Sequence, residues 1–318
     1  MASRRRLGKK FIKSLLPILL VVTVALVVAL AFIVRGITRP PRSAYLVTPQ
    51  AFSQISGPAL KVIDQAWQNR DNTPARGWLL RGAEGAPAII LLHHYGADRS
   101  WLFNLGVKIN EATNFTILWP DLRGHGLLPP VQWTSFGAVE GEDVLAALDY
   151  LRGLKSEGGN RLVGDQVGLF GVELGAYAAL RAAAQDKQII VLALDSVPRD
   201  PNGLVQTTVT SDLGMKVPLL PDLAGLATGA YFLGRYENTP ACQIASSLST
   251  TRVLLLSGPD AGSLRQSTID LAACFKDQAS VEVKTDLPLT AFNLPYATGQ
   301  DGERYDRQVI EFLTKNLR

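Results

Sequence analysis

Histidine is scarce in this chain of 318 residues: there are three, at positions 93, 94 and 125. None follows residue 125, so chemistry that needs an imidazole from the C-terminal half has no donor. Cysteine is scarcer still, with Cys242 and Cys274 the only two and neither in a C-x-x-C pair. So few soft ligands leave no credible metal site, and no cofactor is expected. Acidic residues are missing from positions 1–42, which hold nine of the 32 Lys and Arg, so the rest of the chain, with all 28 acids, is net acidic. A mildly acidic domain is a poor electrostatic match for nucleic acid, and no nucleic-acid partner is expected.

Charge is absent altogether from Ser14 to Val34, a run of 21 residues. At 1.5 Å per residue a helix of that length crosses a hydrocarbon core of roughly 30 Å. Residues 1–13 then form a basic cytoplasmic tail and 14–34 a transmembrane helix that contacts membrane lipid. Pro17 falls in the first turn of that span, where proline costs a helix little. Six basic residues precede the span and Arg35, Arg39 and Arg42 follow it, a bias that keeps the N-terminus in the cytoplasm and sends residues 43–318 outside. A cleaved signal peptide is the rival, since Ala29-Leu30-Ala31 has the small-residue spacing of a cleavage site; the run is longer than an ordinary signal core and continues through Phe32-Ile33-Val34. In an oxidising compartment Cys242 and Cys274 can pair, or they can be two small buried thiols.

Residues 35–74 are expected to form a linker, stiffened by Pro40-Pro41, and an N-terminal helix over Ala59 to Asn69, where apolar residues recur at helical spacing. From Gly77 short apolar runs alternate with helical segments. Strands are expected over 77–80, 88–92, 116–119, 167–170, 189–194, 253–256 and 280–283, with helices near 101–113, 137–153, 174–186, 262–275 and 303–317. That alternation predicts a doubly wound, mostly parallel α/β sheet over 75–318. Residues at about 200–240 are too many for a simple loop and are expected to form a short helical cap.

Four segments then carry a family resemblance. They are Gly77-Trp78 with the run from Leu91 to Ser100, which includes His93-His94-Tyr95-Gly96; Asp121-Leu122-Arg123-Gly124-His125-Gly126; Phe136-Gly137-Ala138-Val139-Glu140-Gly141-Glu142-Asp143; and Gly171-Val172-Glu173-Leu174-Gly175. In this order and spacing they resemble the membrane-anchored branch of the α/β-hydrolase superfamily related to serine peptidases and lipases. The resemblance implies the α/β-hydrolase fold, with Glu173 where the nucleophilic serine of a G-x-S-x-G elbow would stand. It implies an oxyanion-type pocket at Tyr95 and Leu174, an acid at Asp260 with Asp195 as the alternative, and a histidine after the last strand. Residues 284–305 contain no histidine.

A triad without its serine and its imidazole has neither nucleophile nor base. His94, standing where relatives have glycine, and His93 are the only candidates for a displaced base; His125 is expected to be structural. Glu173 is expected to place its carboxylate in the former oxyanion pocket, at the N-terminus of the following helix. The expected function is a catalytically inactive, membrane-anchored subunit that binds a ligand or a protein partner in a membrane complex. The alternative is an atypical hydrolase of esters, amides or lipids built on Glu173, His94 and Asp260.

Overall fold

In the computed structural model, which describes residues 2–42, 44–56, 61–297 and 299–317, a long N-terminal helix leads into one sheet flanked by helices. The helix, α1 (Ala2–Ile37), is followed by α2 (Pro49–Ser56), β1 (Val62–Gln68), β2 (Pro74–Leu80), β3 (Ala86–Leu92), α3 (Phe103–Thr113), β4 (Thr116–Pro120) and α4 (Glu140–Gly153). The chain continues through β5 (Val163–Val172), α5 (Leu174–Gln185), β6 (Ile189–Asp195), α6 (Pro201–Thr207), α7 (Leu220–Tyr231) and α8 (Ala241–Ala245). It closes with β7 (Arg252–Leu256), α9 (Leu264–Leu271), β8 (Val281–Lys284) and α10 (Gln300–Asn316).

The strand order is β1-β2-β4-β3-β5-β6-β7-β8, antiparallel at β1, β2 and β4 and parallel from β4 onward. Continuous apolar strands such as Ala88-Ile89-Ile90-Leu91-Leu92 belong at the centre of such a sheet because helices cover both faces. Alternate residues serve opposite cores. Ile90 and Leu92 join α4 and α5 on one face, while Ile89 and Leu91 join α3 and α10 on the other. The seven expected strands from Gly77 onward all form, as do the expected helices between them.

The expected helix over 59–69 does not form. Residues 59 and 60 lie outside the described residues, and 62–68 is β1, paired antiparallel with β2 from Val62↔Leu80 to Gln68↔Pro74. The turn at Asn69–Thr73 decides it: Asn69 N–H bonds Thr73 O at 2.8 Å, Asn72 takes a positive φ of 61°, and Trp67 stacks on Tyr150 at 5.0 Å. Tertiary pairing overrides a local spacing that fits either period. The helix of this region lies earlier, at α2.

Pro17 is also placed differently. The helix begins at Ala2, so Pro17 is interior, where it has no N–H to offer the carbonyl four residues earlier.

The segment after α1 is docked. Thr38 O accepts from Thr134 N–H at 2.9 Å, Tyr45 packs edge-on to Trp78 at 5.2 Å, and Arg99 lies 5.0 Å from the Tyr45 ring. Between Asp200 and Thr239 the chain forms α6, a π-helical turn (Thr208–Asp212) and α7, which packs against α1.

Candidate functional site

The parallel register assembles the site. Leu92 pairs with Gly171, Val172 with Asp195, Asp195 with Leu256 and Leu256 with Lys284, so the loops after β3, β5, β6, β7 and β8 emerge side by side at one edge. In a doubly wound sheet this carboxyl edge is where ligands bind.

The turn after β5 keeps the geometry of a nucleophile elbow. Glu173 has φ 50° and ψ −105°, a strained conformation for a residue with a side chain. It is possible because its neighbours are glycines: a Cβ on Gly171 would stand 2.4 Å from Gly175 O, and one on Gly175 would stand 2.3 Å from Leu92 O. The peptide is pinned by Glu173 N–H donating to Asp195 O at 2.9 Å.

The Glu173 side chain is 8% exposed and makes no capping hydrogen bond to its own helix α5. Its Oε2 instead accepts from Tyr95 N–H at 2.9 Å, across from the loop after β3. This donor is one that the sequence places in the oxyanion-type pocket. The other, Leu174, is fully buried at the start of α5. Tyr95 is also tied to α1: its hydroxyl donates to Ile37 O at 2.7 Å, and its ring stacks on Phe136 at 5.5 Å.

All three histidines are built into the scaffold. His93 Nε2 accepts from Leu122 N–H at 3.1 Å, which leaves Nδ1 protonated to donate to His94 O at 2.8 Å. His94 Nδ1 lies 2.7 Å from Tyr95 O, and its ring packs between Trp101 at 4.9 Å and Phe292 at 4.8 Å, with Nε2 unpartnered. His125 Nδ1 lies 2.8 Å from Arg123 O, and its Nε2 also has no hydrogen-bond partner. Among the described residues, no histidine nitrogen hydrogen-bonds to Glu173. Burial holds His93 and His125 down to about 3 and His94 down to about 4, so all three are neutral at pH 7.

The two candidate acids have separate tasks. Asp260, exposed after β7, accepts from Thr290 N–H at 2.8 Å, Thr290 Oγ1 at 2.9 Å and Asn293 Nδ2 at 2.6 Å. It thereby holds the loop after β8, where a triad histidine would stand, with a threonine and an asparagine. Asp195 is fully buried and accepts from Ser196 Oγ, Ala291 N–H and Tyr305 Oη at 2.7, 2.8 and 2.5 Å. Burial pushes its carboxyl up to about 6 despite these donors. Tyr305→Phe should therefore lower unfolding stability by about 1.5–3 kcal/mol, the range for hydrogen bonds to charged groups; denaturant titration of the detergent-solubilised chain measures it.

The remaining motifs support the edge. Asp121 accepts from Arg76 Nε and Arg99 N–H, both at 3.1 Å, and Arg123 forms a buried bidentate pair with Asp143. Glu140, fully buried, gathers Thr134 Oγ1, Ser135 N–H and Gly137 N–H at 2.6, 2.8 and 2.9 Å, which fixes the positive-φ turn carrying Phe136 beneath Tyr95. Sequence reasoning gave Glu140, Thr290 and Tyr305 no role; each is an ordinary polar residue whose partner is remote or is placed by a turn.

His125 gives a pH signature. Its folded pKa is depressed, so acidification protonates the unfolded chain first and stability falls below pH 6.5. Asp195 acts oppositely: its folded pKa is raised, so acid adds stability through about pH 6. His125→Asn, which keeps a donor for Arg123 O, cancels the Asp195 contribution in the comparison. Between pH 7 and pH 5 the variant should lose about 2 kcal/mol less stability than the parent. Parallel pH profiles in urea would count against this assignment.

No protein-family model and no curated protein sequence matches the chain. Solved structures do. An esterase from Pyrococcus furiosus aligns at TM-score 0.64 and 19% identity, over 89% of this chain and 99% of its own. An α/β hydrolase from a Penicillium species aligns at TM-score 0.60 and 17% identity, over 81% and 99%. The acylaminoacyl peptidase of Pyrococcus horikoshii aligns at TM-score 0.60 and 14% identity, over 86% of this chain and 44% of the peptidase. The chain has the α/β-hydrolase fold, preceded by the one helix among the described residues, Leu15–Ile37, that is long and apolar enough to cross a membrane.

Proposed function

We propose that this chain is a single-pass, membrane-anchored α/β-hydrolase-fold protein with no triad chemistry, which serves as a binding subunit outside the cytoplasm, in or beside a membrane complex. The observation that carries the reading is the 2.9 Å bond from Tyr95 N–H to the Glu173 carboxylate. In an active member that donor would stabilise an oxyanion on the substrate. Here the Glu173 carboxyl takes the donor, and no substrate oxygen can use it without displacing that side chain. The commitments of the three histidines support the same reading, since a base must lie within hydrogen-bond reach of the group that it deprotonates.

The bridge Cys242–Cys274, with Cα atoms 5.2 Å apart, suits an oxidising compartment and therefore the outward orientation of the domain. The fold is shared with esterases and a peptidase, so the competing reading is an atypical hydrolase centred on Glu173. Fluorophosphonate labelling and ester turnover by the purified chain decide between the two: absence of both supports the binding subunit. Turnover that is lost in Glu173→Gln overturns it.

A further inference from the structure

We infer that the face formed by residues 213–233 is seated in the lipid boundary of the bilayer that α1 crosses, so that the domain rests on the membrane through its cap. This rests on the membrane-spanning reading of α1. The apolar stretch Leu15–Ile37 has 23 residues, and apart from half-buried Leu30 its side chains are exposed up to Phe32. Beyond that point the helix enters the domain: Val34 and Ile37 are each 1% exposed, and Ile33 and Ile37 pack into the core that contains Ala224 of α7. At 1.5 Å per residue the whole stretch measures about 34 Å, only slightly more than the hydrocarbon core of roughly 30 Å. A span whose last turns lie inside the protein leaves no spacer, and the element packed on those turns must stand at the depth of the membrane surface.

That element is α7 with the loop before it, and its free face is apolar. Leu219 and Leu226 are each 71% exposed, Leu233 is 89% exposed and Val217 57%. Across residues 213–234 the only charges are Lys216 and Asp222. Water-facing leucines at this density are costly beside an acyl phase that would accept them, whereas an interfacial segment buries such a face roughly 5–10 Å into the headgroup and acyl boundary. Arg35 and Arg39, exposed on the turn where α1 enters the domain, stand where lipid phosphates would meet them. Continuity with a lipid-facing helix is what selects a bilayer over a soluble partner for this surface.

Both native cysteines are bridged, so an introduced cysteine is the only free thiol in the chain. Leu219→Cys and Leu226→Cys, each carrying an environment-sensitive fluorophore, would be examined with the full chain in phosphatidylcholine–phosphatidylglycerol nanodiscs. Val22→Cys in the span and Glu157→Cys, in the loop leading to β5 at the opposite edge of the sheet, complete the set. Lipids carrying a nitroxide near the headgroup should quench positions 219 and 226 by roughly twofold or more, as expected for residues at interfacial depth, and leave position 157 unchanged. Aqueous iodide should show the reverse order. If position 22 is shielded from iodide while 219 and 226 are quenched by iodide like 157, the inference falls and the spanning helix stands. If position 22 is itself open to iodide, the spanning reading falls with it. If 219 and 226 become shielded only in discs that hold two chains, the face belongs to a second copy and the lipid assignment is overturned.

Discussion

Incubated with p-nitrophenyl acetate or butyrate, the purified full-length chain should show no turnover above the protein-free rate, and it should remain unlabelled by a fluorophosphonate. Glu173→Ser should leave both results unchanged. Two separate absences coincide here. Triad members act as a unit, and removing the serine or the histidine of an active hydrolase costs about a millionfold in turnover. Position 173 has no hydroxyl, and the loop after β8 has no imidazole. Restoring the serine places a hydroxyl on a correctly strained elbow, at φ 50°, with no base to take its proton. The nearest substitute is His94, but its Nδ1 is already held at 2.7 Å by Tyr95 O, and burial keeps its pKa at about 4, too low for a base working near neutrality. Glu173→Ala carries a complementary readout. It removes the buried acceptor of Tyr95 N–H, so it should lower stability by about 1–3 kcal/mol. A variant as stable as the parent would mean that the carboxylate does not hold the pocket.

What the sequence makes legible and what it hides follow the physics of each signal. The central strands are legible because burial on both faces demands uninterrupted apolar runs, which Ala88–Leu92 and Ile189–Leu194 supply. The elbow is legible because close backbone contacts exclude a Cβ at Gly171 and Gly175. Edge strand β1 is hidden: Val62, Ile63, Ala66 and Trp67 satisfy a helical period as well as they satisfy a half-buried strand, and only pairing with β2 decides. The docking of α1 is hidden for a related reason. Ile33, Val34 and Ile37 are as apolar as the exposed residues before them, so nothing in the run marks where it enters the domain. The chemistry at Asp195 is hidden because its partners Ala291 and Tyr305 lie about a hundred residues along the chain.

The retained and lost motifs divide by task. Asp121, Arg123, Glu140 and Asp143 bind other parts of the same edge and are all present with partners. Where an active hydrolase would present its serine and its histidine, this chain has Glu173 and no imidazole after β8. Tyr95 lies between the two groups. Its backbone N–H donates to Glu173, and its hydroxyl anchors the end of α1. The end of α1 and the elbow therefore meet at one residue, so a shift of α1 would be felt at Tyr95 and at the Glu173 side chain that accepts from it.

Reduction should destabilise the domain more than any single substitution considered above. The Cys242–Cys274 bridge joins α8 to the turn after α9 across 32 residues of chain. On the chain-entropy argument a loop of that size removes about 3.5–4 kcal/mol of freedom from the unfolded state. Neither α8, with five residues, nor α9, with eight, is long enough to be stable on its own. The bridge ties α8, packed on α5, to the end of α9, which packs on β7 and on the turn that carries Asp260. Cys242→Ala/Cys274→Ala should therefore unfold at a lower denaturant concentration by an amount worth about 3–4 kcal/mol, and dithiothreitol should bring the parent to the same midpoint while leaving the double variant unmoved. The same pair reports topology. A domain outside the cytoplasm meets oxidants as it folds, so alkylation of the intact cells followed by denaturation should find no free thiol in this chain. Two alkylated cysteines in otherwise folded protein would place residues 43–318 in a reducing compartment and overturn the outward orientation.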